Sequence, residues 1–103
     1  MAFTGKDMCV EVVVQLRGFL SRIVDEPKTE LDVPHGVSVA DVVVKVANHY
    51  GEGFRKVVLD GAGGVYGGMV ISINEKVIPY QRLSEITIEK TCLIILTPLA
   101  AGG

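Results

Sequence analysis

Ser38-Val-Ala-Asp-Val-Val-Val-Lys-Val-Ala-Asn-His-Tyr-Gly51 is the stretch on which the fold turns. Val39, Val42, Val43, Val46, Ala47 and Tyr50 recur at intervals of three and four, so a helix gathers them into one apolar stripe and carries Lys45 and Asn48 away from it. Ser38 with Asp41 three positions on reads as the helix start: the hydroxyl can satisfy an orphan backbone donor, and the acid suits the positive end of the dipole. Gly51 is the stop. So many valines make a poor isolated helix, because β-branched side chains lose rotamer freedom there. Packing on a sheet must hold it.

The flanking sequence supplies that sheet. In Cys9-Val-Glu-Val-Val-Val-Gln-Leu16, Val10, Val12, Val14 and Leu16 fall on one face and Glu11 and Gln15 on the other, the period-two pattern of a half-buried strand. Gly18 to Val24 reads as a short helical turn, Thr29 to Val33 as a second strand, and Pro34-His35-Gly36 as the turn before the helix. Beyond the helix, Phe54 to Leu59 has no assigned element, and Asp60 to Gly68 reads as a flexible surface loop. Met69 to Ile73, the turn Asn74-Glu75-Lys76 and the return Val77-Ile78 form a hairpin closed by Pro79. Leu83 to Ile88 stays unassigned, and Cys92 to Leu96 is continuously apolar, as a central strand covered on both faces would be. The class is therefore α+β, a mixed four- to five-stranded sheet with one main helix packed on a face. Periodicity leaves the strand order open.

At 103 residues the chain makes one domain with one core. Lys and Arg number 10 against 12 Asp and Glu, and there is no Trp, which removes the basic surface and stacking platforms of nucleic-acid binders. The amino end lacks the apolar core of a signal peptide, and no run reaches membrane-spanning length, so neither nucleic acid nor membrane is expected as a partner and the expected location is cytoplasmic. Cys9 and Cys92 are too few for a disulfide framework and read as small buried hydrophobes in strands.

The sequence closes on Leu99-Ala100-Ala101-Gly102-Gly103. Glycine has no Cβ, so this is the slimmest peptide that can be threaded into a narrow active site. The α-carboxylate of Gly103, ionised at neutral pH with a pKa of about 3.5, is the one group an enzyme could activate without side-chain selectivity. A frayed end is the plain alternative.

The order of four blocks resembles the ubiquitin-like β-grasp sulfur carriers, the small subunit of molybdopterin synthase and its thiamine-pathway relatives. The blocks are the valine-rich strand leading into Leu16-Arg17-Gly18-Phe19, the stretch Leu31 to Val43, the hairpin Val70 to Ile78, and Leu96-Thr-Pro-Leu-Ala-Ala-Gly-Gly103. Glu75 departs from the glycine usual in the family hairpin, and Glu89-Lys90 from the Gly-Asp turn before the last strand. The resemblance implies a β-grasp domain over 1–97 and a flexible tail over 98–103. It places the first and last strands side by side and parallel, which would bring Cys9 near Cys92.

It also implies the chemistry. A partner enzyme of the ubiquitin-activating type would join Gly103 to AMP from ATP, sulfur would displace AMP, and the thiocarboxylate would enter a molybdopterin synthase large subunit. In that reading Gly103 reacts, Gly102, Ala101, Ala100, Leu99 and Pro98 give the tail access, and Leu93 and Ile95 meet the partner. No cofactor or metal is bound, and no independent enzymatic activity is expected. The alternatives are a modifier joined to lysines through Gly103, a carrier for thiamine or tRNA thiolation, and a β-grasp binding module.

Other candidates carry less. His35 and His49 have no Cys or carboxylate at metal-ligand spacing. The glycines between Asp60 and Gly68 precede a strand, whereas phosphate loops precede a helix. Cys92 lacks an adjacent base and suits a core role better than a nucleophile's. Leu93 and Ile95 face away from Cys92, Ile94 and Leu96, and alternation leaves open which set is inward. The resemblance, counting back from the tail as in ubiquitin-like chains, implies that Ile94 and Leu96 are the core pair.

Overall fold

In the computed structural model, which describes residues 9–60 and 64–98, the first alternating stretch becomes β1 (Cys9–Leu16) with the expected parity: Val10, Val12, Val14 and Leu16 are buried. A 3-10 turn (Gly18–Arg22) follows, anchored by the buried Leu20, and β2 (Lys28–Pro34) returns antiparallel to β1 with Leu31 opposite Val12.

α1 (Val39–Tyr50) has the stripe read from the sequence, with Val39, Val42, Val43, Val46 and Ala47 buried and Tyr50 half-buried. Full burial of a valine stabilises by about 1.5–3 kcal/mol relative to exposure, which offsets the poor helical propensity. The leading N–H groups are all satisfied: Asp41 N–H donates to Ser38 Oγ at 3.1 Å and Val42 N–H to the Ser38 carbonyl at 3.1 Å, while Val39 and Ala40 donate to the Ile86 and Leu83 carbonyls. The unassigned Leu83 to Ile88 segment is thus the clamp on the helix start, with Leu83 and Ile88 buried and Ser38 bridged to Thr87. Gly51, at φ +101, ends the helix as expected.

A second helix, α2 (Glu52–Val58), packs beside the first through Phe54 and Val58. The expectation of one main helix missed it. Seven residues with Gly53 among them are too few for a 3.6-residue period to stand out. The described residues flanking the glycine-rich stretch are tied together: Asp60 N–H donates to the Gly64 carbonyl at 2.7 Å, Gly64 N–H donates to Asp60 Oδ1 at 3.0 Å, and Leu59 pairs with Val65, both buried. Residues 61–63 lie outside the described residues.

β3 (Met69–Ile73), β4 (Lys76–Ile78) and β5 (Cys92–Pro98) complete a sheet in the order β2-β1-β5-β3-β4. β5 is parallel to β1 and antiparallel to β3. The parallel pair at the centre is as expected, but the cysteines are not neighbours. Cys92 stands opposite Val12, so Cys9 lies three residues, about 10 Å, down the strand and on the other face. Cys92 is buried, whereas Cys9 is exposed and not the buried residue its strand position suggested.

The hairpin between β3 and β4 places Asn74 at φ +49 and Glu75 at φ +74. Two consecutive left-handed residues suit the twist of a two-residue hairpin, and Asn tolerates the region, but Glu does not. Relief of that strain, less the extra freedom glycine gives the unfolded chain, leads us to expect that Glu75→Gly stabilises the domain by about 0.5–1 kcal/mol. Chemical denaturation checks this; a midpoint that falls or stays put would refute it.

Candidate functional site

β5 is the central strand, so its residues divide between two environments. Ile94 and Leu96 are buried in the core cluster that the α1 valines also join, as expected, while Leu93 and Ile95 are half-buried on the opposite face of the sheet. There the register sets Leu93 beside Val13 of β1 and Ile95 between Gln15 of β1 and Ser72 of β3. The two residues expected to meet a partner therefore share one accessible face with an apolar centre.

Pro98 is the last residue of β5 and stands opposite Met69. It is a strand residue at the root of the tail. Leu99, Ala100, Ala101, Gly102 and Gly103, the remaining residues assigned to tail access and reaction, lie outside the described residues. The framework around Pro98 is closely held: Arg17 N–H donates to the Leu96 carbonyl at 3.0 Å, and Gly18 abuts the proline ring. At the other end of β5, Asn74 holds Leu93 twice, through its own N–H to the Leu93 carbonyl and through Oδ1 from Leu93 N–H, both at 2.9 Å.

The open face is acidic along its β1–β2 border. Glu11 stands opposite Asp32 and diagonal to Glu30. The charge of Glu30 chiefly, then its hydrogen bond to Glu11, with slight desolvation and Asp32 adding, raises the Glu11 carboxyl above the ordinary glutamate range. The folded chain thus holds this proton more tightly than the unfolded chain. Repulsion is absent below the ordinary range and develops as pH rises through the raised Glu11 value. Glu11→Gln is accordingly expected to raise Tm at pH 7 by a few degrees at most, on the order expected for an exposed like-charge pair, with the gain shrinking in acid and in salt. A gain that persists undiminished in acid would show that charge is not its cause.

The other sequence candidates resolve into structural roles. His35 Nε2 lies 3.1 Å from Glu89 Oε1, both exposed, and His49 meets the Tyr50 ring edge-on at 4.9 Å between centroids. Among the described residues no cluster of three or more His, Cys, Asp or Glu is placed to hold a metal ion. Cys92 borders a groove of about 370 Å³ shared with Ile73, Ile78, Ile86 and Ile88, and burial pushes its thiol up, away from the thiolate that nucleophilic chemistry requires. Among the described residues no helix is long and apolar enough to cross a membrane.

Solved structures superpose on this framework along nearly its whole length. The small archaeal modifier protein 1 from Methanosarcina acetivorans matches with a TM-score of 0.76 at 23% identity, covering 92% of this chain and 98% of its own. Urm1 from Trypanosoma brucei matches with a TM-score of 0.71 at 13% identity, over 92% and 97%. A Pyrococcus furiosus protein provisionally assigned as molybdopterin converting factor, subunit 1, matches with a TM-score of 0.67 at 15% identity, over 88% and 99%.

The chain has the ubiquitin-like β-grasp fold.

No family model and no curated protein matches the sequence itself. In β-grasp terms α1 is the grasped helix, and α2 and the Leu83 to Ile88 clamp are the parts that sequence patterning did not reveal. The signal for the clamp was present in the alternation of Ile86 and Ile88, but with no length to support it.

Proposed function

We propose that this protein is a ubiquitin-like sulfur carrier whose C-terminal glycine is activated as an acyl adenylate and converted to a thiocarboxylate. The observation that carries the reading is that the central strand of a β-grasp sheet leads, through Pro98, into Leu99-Ala-Ala-Gly-Gly103. In this chemistry the Gly103 carboxylate attacks the α-phosphorus of ATP, held by a ubiquitin-activating-type enzyme, and pyrophosphate leaves. The adenylate then has a leaving group that the carboxylate lacked. Hydrosulfide attacks the carbonyl, AMP departs and the thiocarboxylate is left on Gly103. A persulfide instead gives an acyl disulfide, whose S–S bond a second thiol cleaves, releasing the thiocarboxylate while that thiol and the donor sulfur are oxidised to a disulfide. Gly102 and the small residues Ala100 and Ala101 keep the peptide narrow, and Leu93 and Ile95 offer the docking face.

Delivery of that sulfur to a molybdopterin precursor, in a molybdopterin synthase large subunit, is the specific assignment we favour. The similarity to a protein assigned as molybdopterin converting factor, subunit 1, supports it. Thiamine or tRNA thiolation would use the same loaded tail. The second reading, conjugation to lysines through Gly103, is favoured by the similarity to a small archaeal modifier. Both share the adenylation step and diverge in the nucleophile.

Intact mass of the protein after incubation with an adenylating enzyme, ATP and a sulfide or persulfide donor tests the proposal. An oxygen-to-sulfur exchange at Gly103 is the expected result. Branched peptides joined to lysine through Gly103, with no exchange, would support the modifier instead, and neither product would remove both.

A further inference from the structure

Backbone groups of β5 alternate between its two neighbours. Leu93 addresses β3, since its carbonyl accepts from Asn74 N–H, and Leu96 addresses β1, since its carbonyl accepts from Arg17 N–H. Residue 98, two positions beyond Leu96, therefore addresses β1 again. The next rung of the parallel ladder would run from its N–H to the Arg17 carbonyl. Proline has no N–H, so the rung cannot form. The β1 side departs at the same level. Gly18 follows at φ +62 and starts the 3-10 turn, which the Ser21 hydroxyl fastens by donating to the Gly18 carbonyl at 2.8 Å. A Cβ on Gly18 would stand 3.2 Å from Pro98 Cγ and 3.3 Å from Cδ, closer than side-chain carbons normally approach. The missing donor and the missing Cβ meet at one point, the end of β5.

We propose that Pro98 is a positioning residue that withholds the last β1–β5 rung, with Gly18 making room for its ring, so that the tail reaches an adenylating enzyme without first being peeled from the sheet. This rests on the reading of the tail given above. With an ordinary residue at 98, the N–H could reach the Arg17 carbonyl, and a fraction of molecules would hold the tail root against β1. A partner that needs the root free then sees its ligand diluted by that fraction, which raises apparent KM and leaves kcat alone. A merely structural proline would behave oppositely, since its loss would lower stability.

The test is Pro98→Ala in the full chain, measured by amide hydrogen exchange in NMR, thermal unfolding, and steady-state adenylation with a ubiquitin-activating-type enzyme and ATP. The backbone amide that the substitution introduces at position 98 is expected to be protected from exchange and Tm to be no lower than that of the native chain. KM for the carrier should rise about fivefold, the weight of one backbone hydrogen bond, at unchanged kcat. Exchange of that new amide at the unprotected rate would overturn the proposal. So would a protected amide with unchanged KM, or a lowered Tm with kcat falling in step. If the native chain is not adenylated, the proposed function and the positioning role both fail, while the exchange measurement separately reports whether proline withholds the rung.

Discussion

Appending one alanine after Gly103 is expected to abolish adenylate and thiocarboxylate formation while leaving thermal unfolding within about 1 °C of the native chain. The extra residue turns the Gly103 carboxylate into an amide, whose oxygen is no longer the nucleophile that attacks ATP. The new carboxylate stands about 3.5 Å further along an extended chain. A reacting atom misplaced by about 1 Å already costs about a hundredfold in rate, so the loss should be at least that large. Deleting Gly103 displaces the carboxylate by the same step in the other direction. Stability should hold because the core, among the described residues, ends at Leu96. Pyrophosphate exchange and intact mass on the extended protein decide the matter: retained thiocarboxylate would sink the terminal-carboxylate chemistry.

Val12→Asp is the second large effect, and it acts on the fold alone. Val12 has no exposed surface, lies between Leu31 of β2 and Cys92 of β5, and belongs to a core in which no described residue contributes a buried polar or charged side chain. An aspartate there has no donor to satisfy it. The carboxylate either stays charged in an apolar medium or takes up a proton and remains unpaired, at a cost of about 2–7 kcal/mol. A domain of this size has only about 5–15 kcal/mol of stability, so most of it should disappear. The loss should be smaller at acidic pH, where protonation removes the charge term. Urea unfolding at two pH values measures both effects. An unchanged midpoint would mean that the face assigned to Val12 is wrong, and Glu11→Ala on the exposed face serves as the mild control.

Most of the elements were legible because their signals are local. β1 and α1 each carry an unbroken period over eight residues or more, and both bury the side chains that the period selects. The Ser38 cap and the Gly51 stop were equally readable, since a cap depends on residues within one turn of it. α2 and the Leu83 to Ile88 clamp were not. The first is seven residues long, and the second is defined by hydrogen bonds to Gly36, Val37, Val39 and Ala40, far away along the chain. At the site, the chemistry proposed for Gly102-Gly103 came from the sequence and from the resemblance it supports. The role of Pro98 was only half visible, because its residue type shows a missing donor but not what that donor would have met.

The sequence by itself determined the α+β class, the inward faces of β1 and α1, and the chemical character of Leu99-Ala-Ala-Gly-Gly103, all properties of side-chain type and spacing along one segment. Strand order, the parallel register that separates Cys9 from Cys92, and the meeting of Gly18 with Pro98 were decided only in three dimensions. The reason is that a period of two states which face a residue takes and says nothing of which strand lies beside it. Several registers satisfy the same alternation. Only the simultaneous closure of the helix, its clamp and both hairpin turns over one core selects among them.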